Sequence, residues 1–220
     1  MRTIQVNMSS AAGFSMLELL IATTIGAAIL GPIVMVTGQL QTSYARQLDG
    51  GAVQQEARYA LDWMTRTLAS AGSNPSKVSV SACPAAGTAF RAIRRDPNGD
   101  NVQNDIRIHA DINPPNGLLG GLTTGACTEA GEDITIAYDA ANRTITRRDN
   151  NIDGAAVAMS DSVISQLAFT YLDVNRAAAA TDGLVAFIQV TVSAQNPTAD
   201  LALGQPLTFA LTSEVRVRTR

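Results

Sequence analysis

Between Gly13 and Gly38 the chain reads GFSMLELLIATTIGAAILGPIVMVTG, with one charged side chain, Glu18, inside it. From Phe14 onward this supplies about 25 mostly apolar residues, where a helix needs roughly 20 to cross a bilayer. The stretch therefore reads as a membrane segment. A secretory signal would place a small-residue cleavage site after its apolar run. No such site stands out around Val34 to Gly38, and the small residues Ser9, Ser10, Ala11, Ala12 and Gly13 come before the run. A cut there leaves the greasy helix on the mature chain. Glu18 demands its own explanation, because an ionised carboxylate in hydrocarbon costs a few kcal/mol unless paired or neutralised. The alternative is an interfacial glutamate whose head reaches the lipid headgroups.

The continuous apolar pattern then gives way to an amphipathic one. Val53, Ala57, Ala60, Leu61, Met64, Leu68 and Ala71 recur three and four positions apart, on one helical face, while Gln54, Gln55, Glu56, Arg58, Asp62 and Arg66 fall largely elsewhere. Gly72 followed by Ser73, Asn74 and Pro75 is a strong stop. A helix from Phe14 to Ala71 would be about 87 Å long, too long to lie within one globular domain. Gly31-Pro32 and Gly50-Gly51 are its weak points, where kinks or melting are expected.

Downstream the period becomes two. Leu184 to Ala194 alternates through Leu184, Ala186, Ile188, Val190 and Val192, and Leu207 to Arg218 through Leu207, Phe209, Leu211, Val215 and Val217. Ile134 to Asp139 and Arg143 to Arg147, joined by Ala140-Ala141-Asn142, form a hairpin pattern, and Val163 to Leu172 adds a strand. Short strands are expected at Phe90 to Arg94 and Ile106 to His109, within a loop-rich region from Ser73 to Gly131. Ala177 to Ala180 reads as a loop or short turn. The expected fold class is α+β, one antiparallel sheet covering the apolar face of Val53 to Ala71.

At Gly13-Phe14-Ser15-Met16-Leu17-Glu18 the chain resembles a type IV prepilin. The resemblance implies that a leader of residues 1–13 is removed after Gly13, that Phe14 becomes the methylated N-terminus, and that Glu18 guides assembly. Local physics agrees, since a buried Glu18 can be compensated by the amino group of a neighbouring Phe14. The stretch from Ala57 to Gly72 resembles the helix end of PilW-type minor pilins, and the strands at Leu167 to Tyr171 and Ser213 to Arg218 are similar to theirs. Implied are a pilin-like fold with a membrane or filament-core half of the helix (14–38), an amphipathic half (39–72) and a β-rich domain (73–220). The leader departs from the family in having Arg2 as its only basic side chain, and Pro32 stands earlier than the helix-breaking proline of major pilins.

The function so implied is structural and non-enzymatic: a minor subunit that primes or assembles a type IV pilus. Its partners would be other major and minor pilins, a prepilin peptidase, the inner-membrane assembly platform and, before assembly, the membrane itself. It would sit in the inner membrane as a single-pass protein with its C-terminal domain in the periplasm, and later at the cell surface. The alternatives are a J-like pseudopilin of a type II secretion filament and a ligand-binding minor pilin, an adhesin or a DNA-uptake subunit.

Other candidate residues are weighed on their own chemistry. Cys83 and Cys127 are expected to pair in an oxidising compartment, stabilising by roughly 4 kcal/mol on the chain-entropy model; two free thiols in a reducing cytosol are the alternative. Asp96, Asn98 and Asp100 alternate like the oxygen ligands of a calcium loop, but glycine is missing from the sixth position and Arg107 stands where the bidentate glutamate belongs. A solvated turn is the better reading, and Asp149-Asn150-Asn151-Ile152-Asp153 is read likewise. Apart from that calcium alternative, no cofactor is expected. His109, the only histidine, is expected at a rim, with no serine or carboxylate spacing that makes it a catalyst. Tyr59 and Trp63 could stack on a ligand but read as seam packing. The net charge of −3 and pI near 5.1 exclude a broad phosphate-neutralising surface. Nucleic acid is therefore not an expected partner, although Arg91, Arg94 and Arg95 make a small basic patch.

Overall fold

The computed structural model describes residues 13–78, 80–81, 88–113, 115–120, 128–196 and 206–218. Two compact units result, Met1–Leu48 and Asp49–Arg220. Among the described residues one α-helix, α1 (Met16–Ala69), begins in the first and ends in the second, and ten strands follow: β1 (Val80–Ser81), β2 (Thr88–Ala89), β3 (Ile93–Arg95), β4 (Asp105–His109), β5 (Asp133–Asp139), β6 (Thr144–Asp149), β7 (Val157–Ala158), β8 (Ile164–Leu172), β9 (Phe187–Gln195) and β10 (Thr208–Arg216). The architecture is α+β, with every strand pairing antiparallel.

Within the first unit, the apolar side chains from Phe14 to Leu48 are exposed, Met16 at 87% and Met35 at 75%. That stretch makes α1 long and apolar enough to cross a membrane, by length and composition. The helix runs unbroken through Gly31-Pro32 and Gly50-Gly51, so of the kinks or melting expected there the melting does not occur. Pro32 removes one backbone donor and leaves the flanking turns their own bonds. Around it Thr23, Thr24, Thr37 and Thr42 return their hydroxyls to carbonyls three or four residues back, as Thr65 and Thr67 also do further along α1.

In the second unit α1 buries the face its spacing predicts. Val53, Ala57, Ala60, Met64 and Leu68 are at most 5% exposed, and Leu61 and Trp63 pack beside them. Ala, Leu, Gln, Glu and Arg dominate this half, all strong helix formers. Gly50 is buried, and a methyl group added there would stand 3.7 Å from Phe209 Cζ and 3.9 Å from Leu207 Cδ1, in ordinary contact. The helix stops where Gly72 takes φ +75° and donates its N–H to the His109 carbonyl at 2.9 Å.

In place of the expected single sheet, the described residues form three: β1-β2, β10-β9-β8 and β3-β4-β5-β6-β7. Isolated bonds link the larger two, from Phe169 N–H to Gln103 at 2.8 Å and from Ile164 N–H to Arg143 at 3.0 Å. Asn101 at φ +64° turns the chain just ahead of Gln103, whose carbonyl reaches the β8 edge at Phe169. β8 itself carries a register shift between Ile164 and Gln166, a bulge that bends an edge. Both sheets contribute to one core with α1: Ile93, Ile106, Ile108, Ile134, Ile136 and Ile145 from the larger, Leu167, Phe169, Ile188, Val190 and Val192 from the smaller. Strand ends shift by a few residues from the expected ones. Leu184 lies in a short 3-10 turn, Asp182–Leu184, and is 57% exposed, because β9 starts three residues later.

Candidate functional site

The N-terminal end of α1 is built by four residues. Gly13 and Phe14 precede the helix, Phe14 is 84% exposed, and the space around Gly13 is open. Ser15 and Glu18 close the first turn reciprocally. The Ser15 hydroxyl accepts from Leu17 N–H at 3.3 Å, and Glu18 Oε2 accepts from Ser15 N–H at 3.2 Å. This is a capping box, satisfying two donors that a helix start leaves open and placing negative charge at the positive end of the helix dipole. The spacing Ser-x-x-Glu in the sequence is the local signal of this cap. Glu18 thus has a local role on its own helix as well as any role toward a partner.

In the second unit the outward face of the five-stranded sheet is polar by register. Arg94 stands opposite Arg107, which stands opposite Thr135, which stands opposite Arg148. The next row holds His109 opposite Asp133, with Asn150 reaching in. Like charges facing each other across strands destabilise a sheet. Here Asp133, 1% exposed, answers Arg107 through Nε at 2.7 Å from Oδ1, and its bonds hold the guanidinium in the charged form. Asn150 Nδ2 donates to the same carboxylate at 2.8 Å.

His109 is buried, not at a rim. It packs edge-on to Phe90 at 5.8 Å and is 4% exposed. Its Nδ1 accepts from Arg91 N–H at 3.2 Å, so the neutral ring carries its proton on Nε2, 3.6 Å from Asp133. Burial pulls its pKa below the ordinary value, partly opposed by Asp133. Among the described residues no serine or threonine hydroxyl hydrogen-bonds to it.

The arginine patch divides. Arg95 is engaged by Asp182 at 2.6 Å, by the carbonyls of Ala179 and Ala180 at 2.9 and 3.2 Å, and by the Tyr171 ring at 5.6 Å. Arg91 and Arg94 are exposed, and with Ala89, Arg107 and His109 they line a cleft of about 350 Å³. Compared with known families, curated proteins and solved structures, the chain matches none. Its sites therefore stand on their own geometry.

The two acidic stretches serve turns. Asp96 Oδ1 accepts from Gly99 and Asp100 N–H at 2.8 and 3.0 Å, and Oδ2 from Asn101 N–H at 2.8 Å, while Asp100 accepts from Val102 N–H at 2.7 Å. Asn98 donates its backbone N–H to Asp105. Among the described residues no group of three or more His, Cys, Asp or Glu stands where it could hold a metal ion. Asp149 is fully buried, contrary to the solvated turn expected: its oxygens accept from Gly131 at 2.6 Å and Asn151 at 3.1 Å. Trp63 packs at the seam as expected, but Tyr59 is 55% exposed. Cys83 and Cys127 lie outside the described residues.

A further group escaped the sequence reading. Glu132, fully buried, takes the N–H groups of Ile112, Asn113 and Gly120 at 2.7 to 3.0 Å, and Asp111 takes those of Asn116 and Gly117. These carboxylates pin the 111–120 loop from within. Glu129 lies beside them, its pKa raised by burial and then by the Glu132 charge. A glutamate directly after Gly131 and just ahead of β5 carries no periodic signal that shows where its side chain goes.

Proposed function

We propose that this protein is a type IV pilin-like filament subunit of the PilW-type minor class, acting by assembly and not by catalysis. The observation that carries the reading is the start of α1: Gly13 and Phe14 at an open end, Glu18 one turn inside, and then an exposed apolar stretch long enough to cross a bilayer. An exposed greasy helix is stable only in lipid or against other apolar helices. A subunit that waits in the inner membrane and then moves into a filament core meets both environments. Cleavage after Gly13 by a prepilin peptidase would free the Phe14 amine, and in a neighbouring subunit that cation could face Glu18. The sheet domain would then form the outside and choose neighbouring pilins.

The intact mass and N-terminal residue, read from membranes of cells with and without prepilin peptidase, test this. A chain starting at methylated Phe14 with the enzyme, and a full-length precursor without it, is the expected pair. An intact Met1 chain in both would sink the proposal. Subunits that co-purify decide between a pilus and the J-like position in a secretion filament.

A further inference from the structure

We infer that the cleft between Arg91, Arg94, Arg107 and His109 is a binding site for an oxyanion carrying about two negative charges, a phosphate or a dicarboxylate. The case rests on charge and geometry within the second unit. Three guanidinium groups line or border a cleft of about 350 Å³, and the carboxylate paired with them, Asp133, is committed to Arg107. His109 is neutral in this setting, its Nδ1 used by the Arg91 backbone. Two positive charges are left in excess, on a chain whose net charge is −3. The local sign thus opposes the global one, which focuses anions onto this face.

Cross-strand register makes the excess costly without a ligand. Arg94 is paired directly opposite Arg107, and like charges so placed repel. Folding the chain brings them together, and a bound oxyanion would relieve the repulsion while taking bidentate bonds from planar guanidinium groups. The neighbouring cleft of about 590 Å³, although larger, fits an anion less well, because there Asp182 already answers Arg95.

Calorimetric titration of the full chain in neutral detergent micelles, at low ionic strength, tests the site with two probes, inorganic phosphate and succinate. Saturable binding of either is expected, and the preferred probe assigns the chemistry. The exposed pair Arg91→Gln with Arg94→Gln should weaken it at least about tenfold, as loss of charge-assisted bonds does. A control pair that removes the same charge from the helix surface, Arg58→Gln with Arg66→Gln, should leave it within about twofold. Absence of saturable binding to both probes overturns the inference, as does equal weakening by both pairs, which would mean attraction by net charge alone. Unchanged melting temperature of each variant excludes unfolding as the cause of a loss.

Discussion

The Arg107 guanidinium grips the buried Asp133 carboxylate across β4 and β5, with Nε 2.7 Å from Oδ1. Removing the acid leaves a half-buried cation beside Arg94 with nothing to answer it. Asp133→Ala is expected to cost about 3 kcal/mol, near the lower end for breaking a buried pair because Arg107 keeps some contact with water. Arg94→Gln, one strand away and exposed, should change stability by less than about 0.5 kcal/mol. Urea unfolding followed by the single Trp63 would show this contrast, and equal costs would contradict it.

Gly72 and Gly51 should respond oppositely to alanine. A methyl group on Gly72 would stand 2.9 Å from Ala92 Cβ and 3.1 Å from the Arg218 carbonyl carbon, at a φ of +75°. Gly72→Ala is therefore expected to destabilise by about 2 kcal/mol or more, from strain and overpacking together. Gly51 lies inside α1 with open space around it, so Gly51→Ala should stabilise by up to about 1 kcal/mol. Melting temperatures moving the same way in both variants would refute the description of Gly72 as a clasped helix cap.

Asp105 gives the second unit a pH dependence of known sign. Burial, then the nearby Asp96 and Asp100 charges, push its carboxyl up to about 6, and the Asn98 N–H only partly offsets them. An acid whose pKa rises on folding stabilises below its unfolded value of 3.8, and that contribution is lost as pH rises through about 6. Asp105→Asn keeps an acceptor for Asn98 and removes the charge. Its stabilising effect should be small at pH 4, grow between pH 4 and pH 6, and level off above about pH 7 at on the order of 2 kcal/mol. A constant difference across that range would show that Asp105 is not the titrating group.

Glu18→Gln separates the cap from the proposed assembly role. The amide retains an oxygen for Ser15 N–H, so helix content by circular dichroism should be unchanged. It loses the charge that would meet the Phe14 amine of a neighbouring subunit, so incorporation into sheared filaments should fall at least about tenfold. Normal incorporation of this variant would remove Glu18 from assembly and leave it only as a cap.

Much of the second unit was legible. The face from Val53 to Leu68 and the strands at 133–139, 164–172 and 187–195 follow from periods of 3.6 and 2 that burial imposes on neighbouring positions. The capping box at Ser15 and Glu18 was equally local and could have been read. The division into separate sheets could not, since it depends on where the turn at Asn101 sends one carbonyl relative to an edge formed 60-odd residues later.

The sequence by itself determined where α1 begins and ends to within two residues, which of its halves is apolar all round and which on one side, and the alternation of each long strand, because these are properties of residues a few positions apart. The tertiary structure alone decided that Arg95 is answered by Asp182, 87 residues away, while Arg91 and Arg94 are left to line a cleft with Arg107 and His109. Charge pairing and cavity shape depend on distances between remote segments, which no local pattern encodes until the strands are in register.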